Sequence, residues 1–170
     1  MLRSAERPTS DLTAYDLYLR GIARFFPVTQ QRIGEALGLL EQAITRDPQF
    51  APALAWAAIC QVRLYLDGWT EQPELATRKG SDFARQALQA AANDPDVIAN
   101  AVFALAYSGE DIGAMMALID DALALNPSLA RGWYVSSHVR LLAGALESPL
   151  RMRKLQCGSV HGSAEVVITT

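Results

Sequence analysis

The chain has 170 residues, 51% of them hydrophobic and 19% charged, with a formal net charge of -3 at pH 7. That size fits one domain or a short array of small repeats, and the apolar content excludes a disordered chain. The acidic balance excludes a nucleic-acid footprint, and 28 Ala with 22 Leu favour helix over β-branched strand.

Two cysteines, Cys60 and Cys157, stand far apart, so the chain is read as cytoplasmic with free thiols rather than as a disulfide scaffold. The N-terminus has no apolar signal segment. The longest apolar run, 50–60, is about half of a membrane span, so no membrane role is expected.

The apolar periodicity predicts helices in chain order. Helix 11–26 carries the stripe Leu12, Tyr15, Leu19, Ile22 and Phe26. Helix 30–46 carries Ile33, Leu37, Leu40 and Ile44, with Ala36 and Ala43 between them and Thr29 as N-cap. Helix 51–66 starts around Pro52 and stops at Gly68, before a loop to Pro73. Helix 74–92 follows, with Asn93 as its left-handed terminator. Helix 96–108 stops at Gly109, helix 111–125 at Asn126 and helix 129–143 at Gly144. Val166, Val167 and Ile168 are the first strand-like run. Three dipeptides, Asp47-Pro48, Asp94-Pro95 and Asn126-Pro127, each mark a helix end, because proline drives the preceding residue out of the α region. The last two prolines are 32 residues apart and the first two are 47 apart, a repeat near 34 residues with one insertion.

These units resemble tetratricopeptide repeats. In the stretch after Asn126-Pro127, Trp133 opens the first helix, Ser137 is the small residue that admits the paired helix, and Gly144 turns the chain. Ala36, Leu40, Ala43, Ala122 and Leu125 supply small and large packing residues of the second helices. Pro8 to Gly21, Leu39 to Ile44 with Asp47-Pro48, Gly68-Trp69 and Ala122 to Pro127 are similar to the C-terminal arrays of bacterial class III adenylate/guanylate cyclases and of winged-helix regulators, over residues 8–146. The resemblance implies an all-α fold: an antiparallel helix-pair, right-handed solenoid of about 3.5 repeats with an irregular tail. It divides the chain into an N-terminal extension 1–10, a repeat domain 11–146 and a tail 147–170, frame-shifted or disordered. Residue 1 stands at the array's edge, so no catalytic domain is expected and cyclase chemistry transfers to no residue.

The tail departs from the pattern. Pro149 falls where the second helix of the last pair is expected, and interior proline costs about 3 kcal/mol. Back-translated and read two bases further along, 147–162 permits an apolar-periodic helix, which suggests a shifted reading frame. The last first helix then exposes an apolar face, a surface for self-association.

Catalytic, cofactor and metal readings find no constellation. His138 and His161 have no second ligand type at metal spacing. Ser136-Ser137-His138 lacks an acidic third member, Gly158 to Gly162 follows no strand, and Asp120-Asp121 reads as a solvated face. The basic run Arg151 to Lys154 is too short for nucleic acid. No enzyme, metal or cofactor is therefore expected. The repeat pattern puts Ile59, Val62 and Arg63 on the concave face, then Phe103 and Tyr107, then Arg131, Tyr134 and His138. Ile59 and Phe103 read equally well as core. Arg63, Tyr107, Arg131, Tyr134 and His138 are the candidate contacts for a protein or peptide partner, since Tyr and Arg are frequent anchors. Trp56, Trp69 and Trp133 read as packing residues.

Overall fold

Acidic and hydroxyl side chains start four of the helices. In the computed structural model, which describes residues 9–147, Asp11 Oδ1 accepts from the amides of Thr13 and Ala14 to open α1 (Leu12–Phe25). Thr29 caps α2 (Gln30–Arg46) through the Arg32 amide, and Asp94 and Asp111 cap α5 (Pro95–Tyr107) and α6 (Ile112–Leu125) in the same way. The starts of α3 (Ala51–Leu66) and α4 (Pro73–Ala90) have no side-chain cap and carry proline in the first turn, where its missing N–H leaves nothing unpaired. The last helix, α7, runs Ala130–Glu147. Gly68 and Gly109, with φ of 67° and 84°, supply the left-handed turns after α3 and α5.

Among the described residues the fold is all-α, with seven helices. Each helix packs on the next, and the odd helices also pack on one another: α1 on α3, α3 on α5, α5 on α7. The even helices α2, α4 and α6 meet no other even helix. The result is a repeat-like ladder of helix pairs with the odd helices side by side. The main core lies between the two rows and runs through Ala14, Ile33, Leu40, Phe50, Ala57, Val102 and Ile119. Alanine fills the contacts, which keeps helix axes close.

Several sequence expectations need correction. The apolar stripe of α1 is not its buried face: Leu12, Leu19 and Phe26 are exposed, while Ala14, Leu17, Gly21 and Phe25 are buried. Small residues win because α2 comes so near that a Cβ on Gly21 would stand 3.0 Å from Leu40 Cγ. Asp94-Pro95 does not end a helix. It opens α5, with α4 already closed at Ala91 and Asn93 outside the cap. Asp47 and Asn126 do close α2 and α6. Helix α7 continues through Gly144 to Glu147. Ser137 is exposed, and close approach to α6 falls to Gly132 instead, where a Cβ would meet Leu123 at 2.9 Å. Leu125 is exposed, so of its pair only Ala122 packs.

Thr9, placed in the N-terminal extension, is buried and donates its hydroxyl hydrogen bond to Asp47. The rest of that extension, the shifted-frame reading of the tail with Pro149, and the readings of Cys157, His161, Arg151 to Lys154, Gly158 to Gly162 and Val166 to Ile168 lie outside the described residues.

Candidate functional site

The face built by the odd helices carries two adjoining clefts. One, about 330 Å³, lies between the end of α1 and the facing sides of α3, α5 and α7, with Phe25, Phe26, Val28 and Ile59 on one wall and Phe103 and Tyr134 on the other. The second, about 470 Å³, runs between Tyr18, Trp56, Asp94, Asp96 and Asn100. Arg131 lines both.

Around Phe103 the structure brings together four of the five candidate contacts. Phe103 is itself buried, because α5 is apolar almost all round and is enclosed by α3, α4, α6 and α7. Tyr107, one turn on, lies 4.9 Å from its ring centroid. Tyr134 stacks on it at 6.2 Å and His138 lies tilted to it at 5.8 Å, and these two rings are 4.2 Å apart, one turn of α7. His138 Nδ1 donates to the Tyr134 carbonyl at 3.1 Å, which fixes the ring over the helix. The Arg131 guanidinium carbon sits 5.3 Å from the centroids of both Phe103 and Tyr134, within cation–π range of each. The fifth candidate, Arg63 on α3, lines the smaller cleft and is tied to Asp67 at 2.7 Å, one turn along its own helix.

The electrostatics follow from this packing. Burial pulls the Arg131 pKa below the usual guanidinium value, and the nearby Tyr134 works weakly against that. The Tyr107 hydroxyl is pushed up, first by burial and then by Tyr134, with Arg63 opposing. In the larger cleft, burial raises the Tyr18 hydroxyl to about 12, with Tyr15, Asp96 and Asp94 adding to the shift. Asp96 is also raised, by burial and by Asp94 beside it. The two clefts thus differ in charge: the smaller is mainly aromatic and aliphatic, and the larger adds Asp94 and Asp96 to an apolar wall that includes Ile22, Trp56 and Val97.

Two residues assigned to the concave face, Val62 and Ile59, are buried. Val62 is buried on the side of α3 that faces α4, where Gly80 comes close to its neighbour Gln61. Ile59 is part of the core and also lines the smaller cleft. Of the tryptophans, Trp56 packs edge-on against Phe25 at 5.1 Å and Trp69 packs against the core. Trp133 is 57% exposed, and its indole N–H donates to the Pro127 carbonyl at 2.9 Å, a turn-bracing rather than a packing role.

Sequence reading missed Asn100 and the α1 wall. Asn100 is buried, and its Oδ1 accepts from Arg131 Nε at 2.9 Å. A signal was present: Asn100 is a polar residue inside Val97 to Leu105, one turn before Phe103. Phe25 and Phe26 carry no comparable signal, because their role depends on where the short α1–α2 connection ends.

Nothing in the arrangement pairs a nucleophile with a base. Cys60 is fully buried, its thiol pushed up to about 12 by burial, with Glu41 adding to it. Among the described residues no three His, Cys, Asp or Glu side chains gather as a metal group, and no helix is long and apolar enough to cross a membrane. The chain matches no protein-family model and shows no significant match to a curated protein.

Proposed function

We propose that the protein is a non-catalytic, cytoplasmic interaction module: a right-handed, tetratricopeptide-like solenoid of about 3.5 helix pairs that binds an extended protein segment on the concave side formed by α1, α3, α5 and α7. One observation carries the reading. Arg131 and Tyr134 from α7 meet Phe103 from α5 in a cleft that α3 and the end of α1 close, with Tyr107 and His138 packed against the same rings. Aromatic and Arg side chains, part-buried and held by neighbours, are the groups that anchor partners at interfaces. The packing of odd helix on odd helix supports the solenoid, since in such arrays one helix of each pair lines the inner face.

Selection of a random-peptide library on the purified protein tests this. Peptides that bind wild type are expected to lose at least about tenfold in affinity on the Arg131→Ala, Tyr134→Ala double variant, a loss of about 1.4 kcal/mol. No recovered peptides, or equal binding to a folded double variant, contradicts the proposal. The similarity of residues 8–146 to cyclase and winged-helix regulator arrays favours a second reading, a regulatory region that serves a catalytic or DNA-binding domain encoded alongside it. An abutting upstream reading frame of either kind supports that reading, and unrelated neighbours contradict it.

A further inference from the structure

Arg131 occupies an unusual place for a cation. It is half-buried, and among the described residues no carboxylate lies within ion-pair distance of it. Its Nε is committed to Asn100, its guanidinium lies within cation–π range of the stacked Phe103 and Tyr134 rings, and no described residue accepts from its terminal nitrogens. The other arginine of the smaller cleft, Arg63, already has Asp67. The arginines of the groove between α1 and α2 are also engaged: Arg24 with Glu35, Arg20 with Asp16, and Arg32 with the carbonyls of Ala23 and Phe26. A desolvated cation is costly unless it is paired, and a fixed guanidinium fork matches a carboxylate in two parallel hydrogen bonds.

Position decides which carboxylate. Arg131 lines both clefts and so stands where they adjoin. A ligand chain that fills both must run past it, so its anion lies inside the segment and belongs to a side chain. A terminal carboxylate on Arg131 would leave one cleft without an occupant. The smaller cleft, walled by Phe25, Phe26, Val28 and Ile59, fits a bulky apolar side chain. The larger, with Asp94 and Asp96 on its rim, favours a basic one. We propose that the concave face recognises an extended protein segment carrying an internal Glu or Asp on Arg131, flanked by a bulky apolar residue on the Phe26 side and a basic residue on the Asp96 side. This rests on the peptide-binding reading above and names its ligand class.

Two peptide libraries test it, one displayed with no free C-terminus and one with a free C-terminus. The first is expected to yield binders with an acidic residue beside an apolar one. Replacing that acid by its amide weakens binding to wild type about tenfold. The same replacement has little effect on Arg131→Met, which keeps the apolar stem and loses the charge. Arg131→Lys, which keeps the charge without the fork, falls between them and serves if the Met variant does not fold. Binders without an acid, an acid effect undiminished on Arg131→Met, or binders from the free C-terminus library alone overturn the ligand class and leave peptide binding intact. No binders from either library overturn both.

Discussion

The even and odd helix rows solve different problems with the same residues. In α2 and α4 a narrow buried stripe, Ile33, Ala36, Leu37, Leu40 and Ala43 in one and Ala76, Gly80, Ala84 and Ala87 in the other, faces inward and the remainder is solvated. In α3 and α5 burial runs nearly all round, from Ala53 to Val62 and from Val97 to Leu105. The charged groups differ likewise. On the outer row and the array's ends, ion pairs such as Arg85–Asp82 and Arg140–Asp120 are exposed on both sides. On the inner row Arg131 is held by an amide and two rings. The outer row orients the helices, and the inner row concentrates polar groups that packing alone would not select.

The comparison can be broken from the large effects downward. Ile119→Ala empties a fully buried site on α6 and is expected to cost 2–5 kcal/mol, roughly, read from urea unfolding. A loss under about 1 kcal/mol would show that the inward stripe does not carry the fold. Asn100→Ala removes the acceptor for Arg131 Nε and is expected to cost about 1–3 kcal/mol. A neutral result would mean that the rings alone hold the guanidinium. Tyr18 gives a pH test. Its folded value, about 12, lies above its ordinary 10.0, so the neutral phenol is the form the fold favours. Its contribution is intact below pH 10 and is lost as the pH rises toward 12. Thermal melts across that window are expected to fall more gently for Tyr18→Phe than for wild type, and parallel curves would remove Tyr18 from the account. The smallest effect belongs to the exposed pair Arg20–Asp16: Arg20→Ala is expected to change stability by less than about 0.5 kcal/mol in a chemical melt. A larger change would erase the contrast between solvated ion pairs and the part-buried Arg131.

Much of this was legible in the sequence, for local reasons. Helix positions follow from apolar period, prolines and caps, and Thr29, Gly68 and Gly109 act where their chemistry says they act. Asp94-Pro95 misled because Asp-Pro reads the same whether it closes one helix or opens the next; only the end of α4 at Ala90 decides. The facing of α1 was not legible either, since its large apolar residues suggest burial while Ala14 and Gly21 are what α2 can approach. The candidate residues Tyr107, Arg131, Tyr134 and His138 sit together at Phe103, yet Asn100 and the two clefts arise only once α1, α3, α5 and α7 stand side by side.

Amide shift mapping by NMR, with the tightest peptide from the library titrated into the labelled protein, tests the central claim most directly. Perturbations centred on 97–107 of α5 and 130–138 of α7, reaching Phe25 and Phe26, are the predicted result. Perturbations confined to the outward sides of α2, α4 and α6 would contradict it.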